Sequence, residues 1–162
     1  LKKNGAQIKV LSAQTGQTGE MNISGVRVEA LSPSDGQAFD QNNKSLVLRL
    51  TYGDKSFLFT GDIGFPAEGY LAGQDVRAAV LKAPHHGSRY SSSAEFLSRV
   101  SPAVVVASVG KGNVFGFPHP DAIKRYDAIK AKFYRTDRDG AVTVATDGAG
   151  LSVSTYLTEM PP

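Results

Sequence analysis

Cysteine is absent from the 162 residues. Its absence excludes a disulfide framework and every thiolate zinc site, and it leaves the redox compartment open. Long apolar runs are missing as well. Nothing approaches the roughly 20 consecutive apolar residues that a membrane span needs. The charge excess is small, a net +3, which is compatible with a polyanionic partner without demanding one. Histidine is scarce, at three residues. A metal bound here must therefore be held by those histidines, by Asp or Asn, or by water. The sequence starts at Leu1 without a methionine and reads as a fragment of something longer. With 41% hydrophobic and 20% charged residues, the chain can bury a core of about one domain's size.

Residues 26–31 alternate apolar and polar, as a half-buried strand does. A strand is also expected at residues 8–11, and turn residues break the chain at Ser32-Pro33-Ser34-Asp35-Gly36. Residues 40–44 read as a polar loop. Residues 46–52 and 55–59 flank Gly53-Asp54 and predict a hairpin. One or two helical turns are expected within 64–73, then a buried strand over 76–82. Ser92 with Glu95 three positions on predicts a capping box opening a helix over 93–100. Residues 103–108, almost wholly apolar and β-branched, predict an interior strand. Pro120 suits the first turn of a helix running to residue 130, with Asp121 favourable near its positive end. Short strands are expected at 133–136, 141–146 and 151–156, joined by DRDG and DGAG turns. Helices connecting strands imply layered α/β architecture.

The chemistry concentrates between residues 56 and 88. Two apolar runs end there in residues a core would not choose: Phe57-Leu58-Phe59 ends at Thr60-Gly61-Asp62, and residues 78–83 end at Pro84-His85-His86-Gly87-Ser88. A turn aspartate closing a strand would by itself account for Asp62. A histidine pair at a strand tip is less ordinary, and strand C-terminal ends are where α/β sheets place ligands. Imidazole with carboxylate suits zinc, manganese or iron. A carboxylate has two oxygens and can bridge two ions. Successive side chains of an extended segment point to opposite sides, so one of His85 and His86 is expected to face the site. His119, in the loop Asn113-Val114-Phe115-Gly116-Phe117-Pro118-His119-Pro120, reads either as a helix-capping residue or as a substrate contact. Asp137 reads either as a carboxylate orienting a histidine or as a turn residue. Arg89, Lys111, Lys124 and Arg138 read as a solvated face.

The order of motifs NNKSLVLRL, SFLFTGD, LKAPHHGSRYSS, SPAVVVASVG, NVFGFPHP and YRTDRDGAVTV resembles the C-terminal metallo-β-lactamase-like domain of the ComEC family, the inner-membrane channels for DNA uptake in competent bacteria. The resemblance covers roughly residues 25–146. It implies an α/β fold, the metallo-β-lactamase-like αββα sandwich, of which this chain would be roughly the C-terminal half. It implies a metal-dependent nuclease that degrades the non-transported DNA strand, with two zinc or manganese ions in the complete domain. Asp62 would bridge the ions and His86, or else His85, would be a terminal ligand. Ser88, His119 and Asn113 would contact substrate. Partners would be DNA, the membrane-embedded part of the same protein and other competence proteins, with the domain on the extracytoplasmic side. The chain departs from the pattern at three places. The upstream H-x-H-x-D-H type motif is absent, so the fragment is expected to be inactive alone. Asn42-Asn43 stands where many superfamily members carry a ligand histidine, and Phe117 stands where a further histidine is expected. Two other readings remain open: a soluble hydrolase of an ester or lactam, and a non-catalytic module whose site has decayed.

Overall fold

The structure is a computed structural model that describes residues 19–31 and 39–157. The strand expected at residues 8–11 and the turn expected at 32–36 lie outside the described residues. Among the described residues, seven strands form one sheet in sequence order: β1 (Gly19–Ile23), β2 (Val26–Leu31), β3 (Val47–Tyr52), β4 (Lys55–Phe59), β5 (Val80–Lys82), β6 (Val104–Ala107) and β7 (Lys132–Arg135). β1 to β4 are joined antiparallel, and β3 and β4 make the expected hairpin, with Leu48 opposite Phe59. β4 to β7 run parallel. Their connections carry α1 (Phe65–Tyr70), α2 (Ala94–Val100) and α3 (Pro120–Ala128). A single turn of helix, α4 (Thr136–Asp139), leads to a two-stranded sheet of β8 (Val142–Thr146) and β9 (Leu151–Thr155). The α/β class read from the sequence holds. No helix among the described residues is long and apolar enough to cross a membrane.

The core lies on one face of the large sheet. Leu58, Leu81 and Val105 alternate inward from neighbouring strands and meet Ala67 of α1, Phe96 and Leu97 of α2, and Ala122 and Tyr126 of α3. Each fully buried Leu or Val contributes about 1.5–3 kcal/mol by leaving water. On the opposite face, Val142 and Val144 of β8 line a cavity with Phe57, Phe59, Val80 and Val106.

Three local expectations are corrected. β5 starts at Val80 rather than Val76, because the Ala78 N–H donates to the Val100 carbonyl at the end of α2. Val76 and Ala78 are buried but lie outside the ladder. α2 is capped by Ser93, whose Oγ accepts the Phe96 N–H at 3.2 Å, not by Ser92. Ser92 sits at φ +61 and shares a hydrogen bond with the Tyr126 hydroxyl at 2.8 Å. That places Glu95 one position short of its capping-box role. The buried Glu68 of α1 takes it instead, accepting the N–H groups of Ser92 and Ser93. DRDG is the helical turn α4 rather than a simple turn.

Candidate metal centre

Parallel pairing of β4, β5 and β6 puts their C-terminal ends side by side. β4 leads to Asp62, β5 to His85 and His86, and β6 to Ser108. Two glycines allow the tips to converge. Gly61 takes φ +53, and a Cβ there would stand 2.6 Å from the Cβ of Ser45. Its carbonyl accepts the His85 N–H at 3.1 Å, and Ser45 Oγ accepts the Asp62 N–H at 3.0 Å. Gly87 takes φ +83, and a Cβ there would stand 2.7 Å from Pro118. Its carbonyl accepts the His119 N–H at 2.8 Å. The chain therefore stitches the first tip to the histidine turn, and the histidine turn to the loop before α3.

His85 and His86 both adopt left-handed backbone angles, φ +47 and +56. For residues bearing a Cβ this costs energy and clusters at functional sites. The turn is not extended, so the two rings do not simply face opposite ways. His86 Nδ1 lies 2.7 Å from the Ser108 carbonyl. A carbonyl only accepts, so Nδ1 carries the proton and the Nε2 of the neutral ring carries the lone pair. Nε2 lies 3.4 Å from Asp62 Oδ1, and both side chains are 41% exposed. The His85 ring lies edge-on to Phe117, with centroids 5.5 Å apart. Lys82 lies close by. Burial pulls its ammonium below the usual lysine range, and the Asp62 charge opposes that shift.

This donor pair fits one edge of a zinc- or manganese-type site. Two ligands about 2.1 Å from a tetrahedral ion stand about 3.4 Å apart. A histidine whose second nitrogen is held by a carbonyl is the usual ligand arrangement. Among the described residues, however, no group of three or more His, Asp or Glu side chains converges. Two donors fall short of the four that zinc takes.

The other predicted residues have structural partners of their own. Asn43 is buried, and its Oδ1 accepts the N–H groups of Gly64 at 2.9 Å and Ala67 at 3.4 Å. It caps α1 from outside the helix, and its own Nδ2 donates to Asp40. Ser88 is buried, with Oγ accepting the Tyr90 N–H at 3.3 Å. His119 is the N-cap of α3, its Nδ1 accepting the Asp121 N–H at 3.1 Å. Asn113 ties its own loop, exchanging hydrogen bonds with the Phe117 backbone at 2.7 and 3.0 Å. Both carboxylate oxygens of Asp137 accept from Arg135, at 2.7 and 2.6 Å, so its carboxylate is engaged by a guanidinium rather than by a histidine. Arg89 faces Asp121 and Arg138 faces Asp139.

Asp62, His85, His86, Ser108 and Asn113 line one cavity of about 420 Å³ with Phe115 and Phe117. Sequence reading missed Ser45, Ser108 and the aromatic wall. Ser108 carried the one usable signal, since it ends an apolar strand as Asp62 does.

A family model described as the metallo-beta-lactamase superfamily matches residues 23–111. The chain is similar to Competence protein ComA of Neisseria gonorrhoeae, 38% identical over 78% of this chain and 19% of that protein. It is similar to Uncharacterized protein YcaI of Escherichia coli, 33% identical over 85% of this chain and 19% of that protein. It is also similar to ComE operon protein 3 of Bacillus subtilis, 31% identical over 75% of this chain and 16% of that protein. The chain thus spans less than a fifth of the length of these curated relatives. Two of the three carry competence or com-operon names, as the resemblance read from the motif order implies.

Proposed function

Because this chain belongs to the metallo-beta-lactamase superfamily, we propose that it forms part of a metal-dependent phosphodiesterase acting on DNA during uptake. The observation that carries the reading is the facing of His86 Nε2 and Asp62 Oδ1 at 3.4 Å. When bound, a divalent ion of the zinc or manganese type supplies a Lewis acid for a phosphoryl oxygen and lowers the pKa of a bound water. Asp62 and His86 hold one side of that site. The Ser108 carbonyl fixes the imidazole, and Ser45 fixes the backbone of Asp62. His85 is the alternative ligand and lines the same cavity. His119, whose Nδ1 accepts the Asp121 N–H, is the proposed contact to the phosphate from the loop that leads into α3. Asn113 holds the cavity loop in shape. The remaining ligands come from the upstream motif of the same domain, and the domain sits on the extracytoplasmic side of a membrane-embedded portion of the same protein. Other competence proteins are its expected partners.

Cleavage of labelled DNA with added manganese or zinc tests the reading. It is measured on this chain and on a longer version carrying the preceding segment of the same protein. The longer version cleaves and loses cleavage on His86→Ala, while this chain alone does not cleave. Folded protein without activity in either form refutes the proposal.

A second reading, hydrolysis of a small ester or lactam, has one observation in its favour: the cavity wall is apolar at Val109, Phe115 and Phe117. Turnover of a chromogenic lactam by the longer version, with DNA left intact, would select it.

A further inference from the structure

The aromatic side of the cavity is built and open. Phe115 and Phe117 are stacked, with ring centroids 5.7 Å apart and planes at 20°. His85 continues the series edge-on to Phe117. Phe115 is 74% exposed and its neighbour Val114 is 92% exposed. A single exposed phenylalanine needs no explanation. Here two rings run in line with the histidine turn of the candidate metal pair. The loop that carries them is also tied by hydrogen bonds. Asn113 bonds both polar backbone groups of Phe117 and the Gly110 carbonyl, and the N–H of Gly116 returns to the Asn113 carbonyl. A ring presented by a loop tied in this way loses little freedom on binding, which favours a ligand that stacks.

The ligand must offer a flat π-face while its reactive group reaches Asp62 and His86. Lys111 of the same loop is exposed, which suits a phosphate attached to that flat group. Base faces inside a duplex are already stacked, so only an unpaired base can lie on Phe115. The geometry points to a stacking subsite, formed by Phe115 backed by Phe117, for an unpaired nucleobase of a single-stranded nucleic acid beside the Asp62–His86 pair. This deepens the phosphodiesterase reading and rests on it for the site's chemistry.

Fluorescence anisotropy of this chain tests the subsite, with EDTA present so that binding is read without cleavage. The probes are a short single-stranded oligonucleotide, an abasic strand of the same length and a blunt duplex. Phe115→Ala weakens binding of the base-containing strand about tenfold and leaves the abasic strand unchanged. Phe115→Trp retains binding. The chain has no tryptophan, so the emission of that single indole is quenched by the base-containing strand alone. Absence of single-strand binding by the unaltered chain, or equal loss on both strands, overturns the proposal. So does tighter binding of the duplex than of the single strand. Loss of binding to phosphatidylglycerol vesicles in Phe115→Ala, with oligonucleotide binding intact, also overturns it and assigns the exposed rings to a membrane. Because no cleavage is read, a failure of the phosphodiesterase reading shows separately, as stacking without metal-dependent activity.

Discussion

Nε2 of His86 faces Oδ1 of Asp62 at 3.4 Å, while its Nδ1 is committed to the Ser108 carbonyl at 2.7 Å. In the neutral ring this sets a lone pair opposite a carboxylate oxygen. Two acceptors held face to face and open to solvent offer their lone pairs to a donor or a cation placed between them. The Ser108 carbonyl lies at the tip of a third strand, so three parallel strands together set the pair.

The ligand role proposed for this pair makes zinc affinity its readout. His86→Ala should lower the affinity of this chain for zinc by about tenfold or more in isothermal titration calorimetry. His119→Ala should leave it unchanged, because the His119 ring caps α3. Equal losses in both variants would place the ion elsewhere.

Asn43 should behave as a helix cap. Asn43→Ala leaves the Gly64 and Ala67 N–H groups without their acceptor. The expected loss is about 1–2 kcal/mol in urea unfolding, the usual cost of a lost cap. Asn43→Asp keeps the acceptor but faces the Asp40 carboxylate, so it recovers only part of that stability. A neutral outcome for Asn43→Ala would remove the capping role.

Glu68 should leave a pH signature. Burial raises its carboxyl above the ordinary value near 4.5, against the hydrogen bonds from Ser93 and Ser92 and the Arg125 charge. The folded chain then binds this proton more tightly than the unfolded chain does. The resulting stabilisation is complete below about 4.5 and is lost as pH rises through the higher folded value. Glu68→Gln removes this slope, so its melting temperature plotted against pH is flatter just above 4.5. At neutral pH it also leaves one of the two serine N–H groups without an acceptor, at a cost of about 1–3 kcal/mol. Parallel pH profiles for both proteins would contradict the assignment.

Gly87 should not tolerate a side chain. Gly87→Ala combines φ +83 with a 2.7 Å approach to Pro118. It should destabilise the chain by about 1–3 kcal/mol. It should also weaken zinc binding, since the turn that carries His86 must shift. Unchanged zinc affinity with lowered stability would separate the turn from the site.

Much of the fold was legible because periodicity reports it. Residues 46–59 announced a hairpin, and residues 103–108 announced an interior strand. Asp62, His85 and His86 stood out as candidates because they follow apolar strands directly, and the structure brings them to one cavity. The capping of α1 and α2 was not legible. A capping box is a local rule, and here Asn43 and Glu68 reach both helix starts from other elements. The place of Asn43 in the ligand pattern likewise said nothing of its cap, which depends on where α1 docks.

The sequence by itself determined the strands, the helices and the residue types at the strand tips, since these follow from period, turn chemistry and β-branching along the chain. Only the tertiary structure decided that His86 faces Asp62, that Ser108 fixes its tautomer, and that Phe115 and Phe117 stack beside it. Those facts depend on the parallel register of β4, β5 and β6 and on two glycines whose missing Cβ lets separate loops touch. Local sequence encodes neither a register nor a close approach between distant segments.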